Sequence, residues 1–172
     1  MKHSFTVIRA LSWLNVLLVI ALDQWSKLEL VSYAKTEALP KNITSFFNLV
    51  YVQNRGISFG LFGHMQDFVP LILTVCNSII VLILASWLFK TKERYTPLAI
   101  SLIIGGAIGN IIDRIRIGAV TDFLDFYIRS YHWPAFNVAD SAIFIGVVIL
   151  LLLSIVTKDK PIQEKCENEN SL

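Results

Sequence analysis

Apolar residues gather along this chain in four runs, separated by polar stretches of unequal length. A helix needs about 20 mostly apolar residues to cross a bilayer core. Phe68 to Phe89 meets that requirement without a charge until Lys90, and Tyr95 to Ile112 forms a second such run, closed by Asp113. A further run, Phe136 to Thr157, carries one charge, Asp140, near its start. The first run is less regular: Ala10 to Leu22 is apolar, and the pattern continues through Asp23, Trp25, Lys27 and Glu29 to Val31. The pattern predicts four transmembrane helices at about 10–31, 68–89, 95–112 and 136–157, within a single membrane domain at about 1–157. Segments of about 32–67 and 113–135 lie outside the spans, and the polar 158–172 reads as a disordered cytoplasmic tail.

Between the first two spans, Phe46 to Val52 is a β-favouring run, with aromatic and β-branched residues, and precedes a Gly-rich stretch. That combination predicts a small sheet on the membrane surface. The expected fold class is therefore all-α integral membrane, four helices with a small sheet and an outer loop. Trp25, Tyr33, Tyr131 and Trp133 fall at the outer ends and fit an interfacial belt.

Composition agrees with a membrane as the solvent. The 172 residues are 55% hydrophobic and 16% charged, too little polar surface to cover a soluble domain of this size. A net charge of +2 with no basic stripe excludes nucleic acid as an expected partner. Cys76 lies in an apolar run and Cys166 in the polar tail, so both are read as free thiols. Lys2 and Arg9 precede the first span, Lys90, Lys92 and Arg94 lie between the second and third, and Lys158, Lys160 and Lys165 follow the fourth. The positive-inside bias puts both termini in the cytoplasm. Ser32-Tyr33-Ala34 has the small-x-small form of a signal-peptide cleavage site, but charged residues fill the stretch after Leu22. An uncleaved first helix is the expectation.

Charge within or beside a span is expensive and needs a partner or a role. Asp23, Asp113, Arg114, Asp122, Asp125 and Asp140 all fall toward the same outer face in this topology, with Asn54, Asn110 and Asn137 at the same level. Two carboxyls facing each other at low dielectric share a proton, which supplies a base and an acid for peptide hydrolysis without metal or covalent intermediate. Spacing alone leaves the pair open among the five aspartates. Other hydrolytic chemistries have weaker signals. There is no His-Glu-x-x-His, and His3, His64 and His132 are scattered, so no metal site is expected. Gly56-Ile57-Ser58-Phe59-Gly60 matches a nucleophile-elbow pattern, but the chain has no room for the large parallel sheet that the elbow requires.

Five stretches taken in order carry a resemblance: Asp23-Gln24-Trp25-Ser26-Lys27, Gln53 to Phe59, Gly105 to Arg114, Val120-Thr121-Asp122-Phe123, and Phe136 to Ser141. Together they resemble the motifs of the lipoprotein signal peptidase (signal peptidase II) family from about Asp23 to about Ile143. The resemblance implies a four-helix inner-membrane aspartyl peptidase with a periplasmic β-cradle. It further implies removal of the signal peptide from prolipoproteins, immediately before a diacylglyceryl-modified cysteine. It maps the catalytic pair onto Asp122 and Asp140, with Asp23, Asn54, Gly106, Asn110, Asp113, Arg114 and Asn137 as supporting or substrate-contacting positions. The implied partners are lipidated prolipoproteins and membrane lipid, with no cofactor; a monomer is the expectation for the chain itself. Ser58 stands where such proteins often carry alanine.

Plainer accounts exist for several of these residues. Asn137 to Asp140 also has the form of a helix capping box. Asp113-Arg114 could be an interfacial ion pair closing the third span, and Asp23 could pair with a nearby cation or cap backbone groups. Gly105 and Gly109 suit close helix packing. Asp125 reads as a solvated residue, on the same face as Asp122 if that stretch is helical. A small proton-coupled transporter or a noncatalytic scaffold subunit are the competing function classes.

Overall fold

The computed structural model describes residues 2–56, 68–91 and 93–169. Four helices, α1 (Lys2–Thr36), α2 (Val69–Lys90), α3 (Thr96–Ile117) and α4 (Val138–Glu169), are joined by four strands, β1 (Lys41–Thr44), β2 (Phe47–Asn54), β3 (Val120–Ile128) and β4 (Tyr131–His132). Each helix contains a stretch long and apolar enough to cross a membrane. Prolines at their first turns start α2 and α3, where a missing N–H is no loss. Gly118, at φ 68°, ends α3 in a left-handed cap whose N–H donates to the Arg114 carbonyl at 3.0 Å.

α3 is the inner helix of the bundle and packs against the other three. In its most apolar stretch 61% of residues are buried, against 6% for α2. The outward faces of α1, α2 and α4 carry Leu14, Leu18, Leu82, Ile83, Phe144 and Leu151, each more than half exposed. Such faces are stable only in an apolar solvent. Glycines bring the axes together: a Cβ at Gly105 would lie 2.8 Å from Val19 on α1, and one at Gly106 would strike the Ala139 carbonyl oxygen of α4. The packing reading of Gly105 and Gly109 therefore holds, and Gly106 belongs with them.

The four strands form one antiparallel sheet in the order β1-β2-β3-β4, with Val52 opposite Asp122 and Asn54 opposite Val120. Phe126 on β3 stacks on Phe136 at 5.8 Å and lies 5.0 Å from Phe47, so an aromatic seam ties the sheet to the chain entering α4. The Phe46 to Val52 run thus forms a strand as expected.

Element ends depart from the sequence expectation in three places. α1 continues to Thr36 and α3 to Ile117, where span ends were expected at about 31 and 112. Asp113, read as the close of the third span, is buried against Lys27 of α1, so α3 continues past it. Asp122 and Asp125 lie on a strand, so the shared helical face does not exist. α4 is helical to Glu169.

Candidate active site

Five elements converge on one polar cluster. α1 supplies Asp23, Gln24 and Lys27, α3 supplies Asn110 and Asp113, β2 supplies Asn54, β3 supplies Thr121 and Asp122, and the start of α4 supplies Asn137 and Asp140. Asp23 and Asn137 are fully buried, and Asp122 is 2% exposed.

Both Asp122 oxygens accept amide donors, Oδ1 from Asn137 Nδ2 at 2.7 Å and Oδ2 from Asn54 Nδ2 at 2.9 Å. Asn54 is in turn oriented by the backbone N–H of Gly56, which donates to its Oδ1 at 2.8 Å. Both Asp140 oxygens are also engaged: Asn110 Nδ2 donates to Oδ1 at 2.7 Å and the Asn137 backbone N–H to Oδ2 at 3.2 Å. Asn137 therefore joins the two carboxyls, using its side chain for one and its main chain for the other. Burial, helped by the charge of nearby Asp140, pushes the Asp122 carboxyl up to about 6, against the pull of its bonds from Asn54 and Asn137. A carboxyl in that range exchanges a proton readily near neutral pH.

Beneath the pair lies a second layer. Lys27 Nζ contacts Asp23 Oδ2 at 2.8 Å, Asp113 Oδ2 at 3.1 Å and Asn110 Oδ1 at 3.2 Å. Asp23 Oδ1 accepts the Ala139 N–H at 3.0 Å, capping α4 from α1. Asp113 accepts the Thr121 N–H at 3.0 Å and so fixes the start of β3 one residue before Asp122.

All the supporting residues expected from sequence fall in or beside this cluster, with some changes of partner. Asp113 pairs with Lys27 and not with Arg114, because neighbouring helix residues point about 100° apart. Arg114 lies close enough to Asp140 and Asp122 to feel both charges, while its Nε is buried without a hydrogen-bond partner among the described residues. It lines a cavity of about 460 Å³ with Arg55, Pro70, Leu71 and Thr74. Gly106 contacts the backbone of α4, a packing position. Asp125 is not solvated: it is 7% exposed, accepts from Asn48 Nδ2 at 3.0 Å and pairs with His132 Nδ1 at 2.9 Å. Asp140 does sit in a capping box, since its N–H donates to Asn137 Oδ1 at 2.9 Å. Ile57 to Gly60 of the nucleophile-elbow pattern lie outside the described residues.

Lys27 and Gln24 were absent from the residues expected at the site. The signal for Lys27 was available, since Asp23 and Lys27 stand four apart on a predicted membrane helix, where charges pair. The Gln24 amide donates to both Asp23 and Asp113 at 3.1 Å, and its signal in the sequence is its place in the Asp23 to Lys27 stretch that carries the family resemblance.

Four apolar helices closing over buried carboxyls at one end define a multi-pass membrane protein with a polar site beside its spans. The profile of the family described as Signal peptidase (SPase) II matches residues 15–156. Relatives include the lipoprotein signal peptidase of Syntrophotalea carbinolica, 48% identical over 142 residues, covering 78% of this chain and 84% of that protein. The lipoprotein signal peptidase of Aeromonas hydrophila is 44% identical over 154 residues, covering 88% and 91%. A bacterial membrane enzyme solved by the in meso method at 2.3 Å superposes with a TM-score of 0.73 at 28% identity, covering 88% of this chain and 91% of that one. The chain belongs to the signal peptidase II family, that of the lipoprotein signal peptidases.

Proposed function

We propose that this protein removes the signal peptide from diacylglyceryl-modified prolipoproteins, cutting immediately before the lipid-modified cysteine, with Asp122 and Asp140 as the catalytic pair. The observation that carries this reading is Asn137, whose amide and backbone N–H reach one carboxyl each and hold them in a common network. One carboxylate takes a proton from water as the water oxygen attacks the scissile carbonyl carbon. The other carboxyl gives its proton to the carbonyl oxygen, and a tetrahedral diol forms. Its collapse breaks the C–N bond, with a proton passing to the leaving amine, so the lipidated cysteine becomes a new amino terminus. No covalent enzyme intermediate and no cofactor enter. The Asp122 carboxyl, at about 6, suits the proton-donating half of this cycle.

The location of the pair favours a lipid-anchored substrate. Asp140 stands in the first turn of α4 and Asp122 on the strand before it, so water and a membrane-held peptide can both reach the level of the pair. With the basic residues before α1, between α2 and α3 and after Thr157 on the cytoplasmic side, the site and its sheet face the periplasm of a bacterial inner membrane. The enzyme works as a monomer in this reading.

The test is cleavage of a diacylglyceryl-modified prolipoprotein peptide by detergent-purified protein. Asp122→Asn and Asp140→Asn should each lose at least about 10² in turnover while remaining folded. Full activity in either variant would end the assignment of the pair. Chelators should leave the rate unchanged, and inhibition by EDTA that zinc reverses would point to a metal enzyme. Proton-driven solute uptake by vesicles carrying the protein, without peptide cleavage, would favour the transporter class.

A further inference from the structure

Asn110 touches Asp140 on one side and Lys27 on the other. Its Nδ2 donates to Asp140 Oδ1 at 2.7 Å, while its Oδ1 accepts from Lys27 Nζ and from Asn137 Nδ2, both at 3.2 Å. The two ends of an asparagine amide have nearly the same shape, so packing does not decide which end faces Asp140. Hydrogen-bond chemistry decides it. Turned about, the amide would set its C=O against a carboxylate and its NH2 against an ammonium and a second NH2. An ammonium has three donors and no acceptor, so Lys27 tolerates only an oxygen at that place.

Lys27 is itself held firmly. It is 4% exposed, and Asp23 at 2.8 Å, Asp113 at 3.1 Å and Asn110 at 3.2 Å supply one acceptor for each of its three protons. Asp23 stands on the same helix face, one turn earlier, so α1 alone presets the pair. A cation buried between two anions carries a desolvation penalty, and an apolar core would fill the same space more cheaply. Its placement is explained by what it orients.

We propose that Lys27 is a positioning residue that acts through Asn110. Clamped by Asp23 and Asp113, it turns the Asn110 amide so that its N–H faces Asp140, and that donor aligns the Asp140 carboxyl for proton transfer. The proposal rests on the reading of Asp140 as one of the catalytic pair.

The test uses the full chain in detergent with the lipidated prolipoprotein peptide. Lys27→Met keeps the stem and removes every donor, Lys27→Gln keeps an amide donor, and each is also combined with Asn110→Ala. Lys27→Met is expected to lower kcat about a hundredfold with KM within about twofold, and Lys27→Gln to recover about tenfold of that loss. In the Asn110→Ala background, Lys27→Met should lower kcat by less than about threefold, because the amide it orients is already gone. Losses that multiply in the double variant, or a folded Lys27→Met with wild-type kcat, would overturn the proposal. If Lys27→Met does not fold, the cycle of Lys27→Gln with Asn110→Ala decides by the same criterion. Asp140→Asn is measured alongside: wild-type turnover there would sink the reading of the pair itself, whereas multiplying losses with an inactive Asp140→Asn sink only the role of Lys27.

Discussion

Asn137 and Asp140 cap each other at the start of α4: the Asp140 N–H donates to Asn137 Oδ1 at 2.9 Å, and the Asn137 N–H donates to Asp140 Oδ2 at 3.2 Å. The helix cap and the candidate catalytic carboxyl are thus one structure. Capping fixes where the α4 backbone begins, and the same contacts fix the Asp140 rotamer. The Nδ2 of Asn137, free of the cap, is left to reach Asp122 at 2.7 Å. Helix formation therefore preorganises the pair, and the structural and functional accounts of Asp140 are not alternatives.

This double use separates two substitutions at Asn137. Asn137→Ser can keep the cap through its hydroxyl oxygen, which accepts, but its side chain is one atom shorter and lacks the Nδ2 that reaches Asp122. Asn137→Ala loses both, at about 1 kcal/mol for the cap and about 1–3 kcal/mol for buried polar groups left unpaired. Both variants should lose turnover, and Asn137→Ala should melt clearly below Asn137→Ser. Equal melting temperatures would mean that the cap contributes nothing to stability.

A second prediction concerns pH. The unfolded chain releases the Asp122 proton near its ordinary value of 3.8, whereas the folded chain holds it up to about 6. Between about pH 4 and pH 6 the folded state therefore binds more proton, and Asp122 removes stability as the pH rises through that window. Asp122→Asn lacks this loss. The melting temperature of the variant minus that of the wild type should climb from about pH 4 to about pH 6 and stay level above it. The Asn54 amide, left facing another amide, adds a constant offset that does not alter the slope. A difference that is flat or falls across the window would contradict the assigned cause.

The spans were legible in the sequence because lipid imposes length and apolarity on any helix that crosses it. Their ends were not, because a charge ends an apolar run on paper whether or not a partner waits on another helix. Asp113 shows the difference: 86 residues separate it from Lys27, and nothing local announces that contact. Asp122, Asp140 and the three asparagines were visible as polar residues at one depth, and the family motifs selected among the aspartates. Asp125 was misread for the same reason as Asp113. Its partners, Asn48 and His132, lie on neighbouring strands, and the pairing with Asn48, 77 residues away, is invisible to periodicity.

Those partners make Asp125 a third test. The carboxyl is 11% exposed and its His132 partner 51% exposed, so the pair is half solvated and weak. Asp125→Asn keeps an oxygen for Asn48 Nδ2. It should therefore lose no more than about 1 kcal/mol of stability and retain turnover, read by thermal melting and peptide cleavage. An inactive but folded Asp125→Asn would move the catalytic assignment to a different pair of aspartates.

The last prediction contrasts two glycines that bracket the second half of α3. At Gly106 an added methyl would meet the carbonyl oxygen of Ala139, a main-chain atom one residue before Asp140, and Ile143 at 2.8 Å. Backbone cannot rotate away as a side chain can, so α3 and α4 must separate. Overpacking of this kind typically costs about 1–3 kcal/mol, and more where main chain is struck. The displacement would also carry Asp140 away from Asn110 and Asp122, so Gly106→Ala should lose stability and turnover together. At Gly118 nothing lies within 4 Å, and the sole obstacle is the left-handed φ of 68°. Gly118→Ala should cost about 1 kcal/mol, within the range for a residue forced into that region, and keep turnover near wild type. Melting temperature and kcat measured on both proteins decide it. If Gly106→Ala retains wild-type turnover, the spacing of α3 and α4 does not govern how the two carboxyls meet.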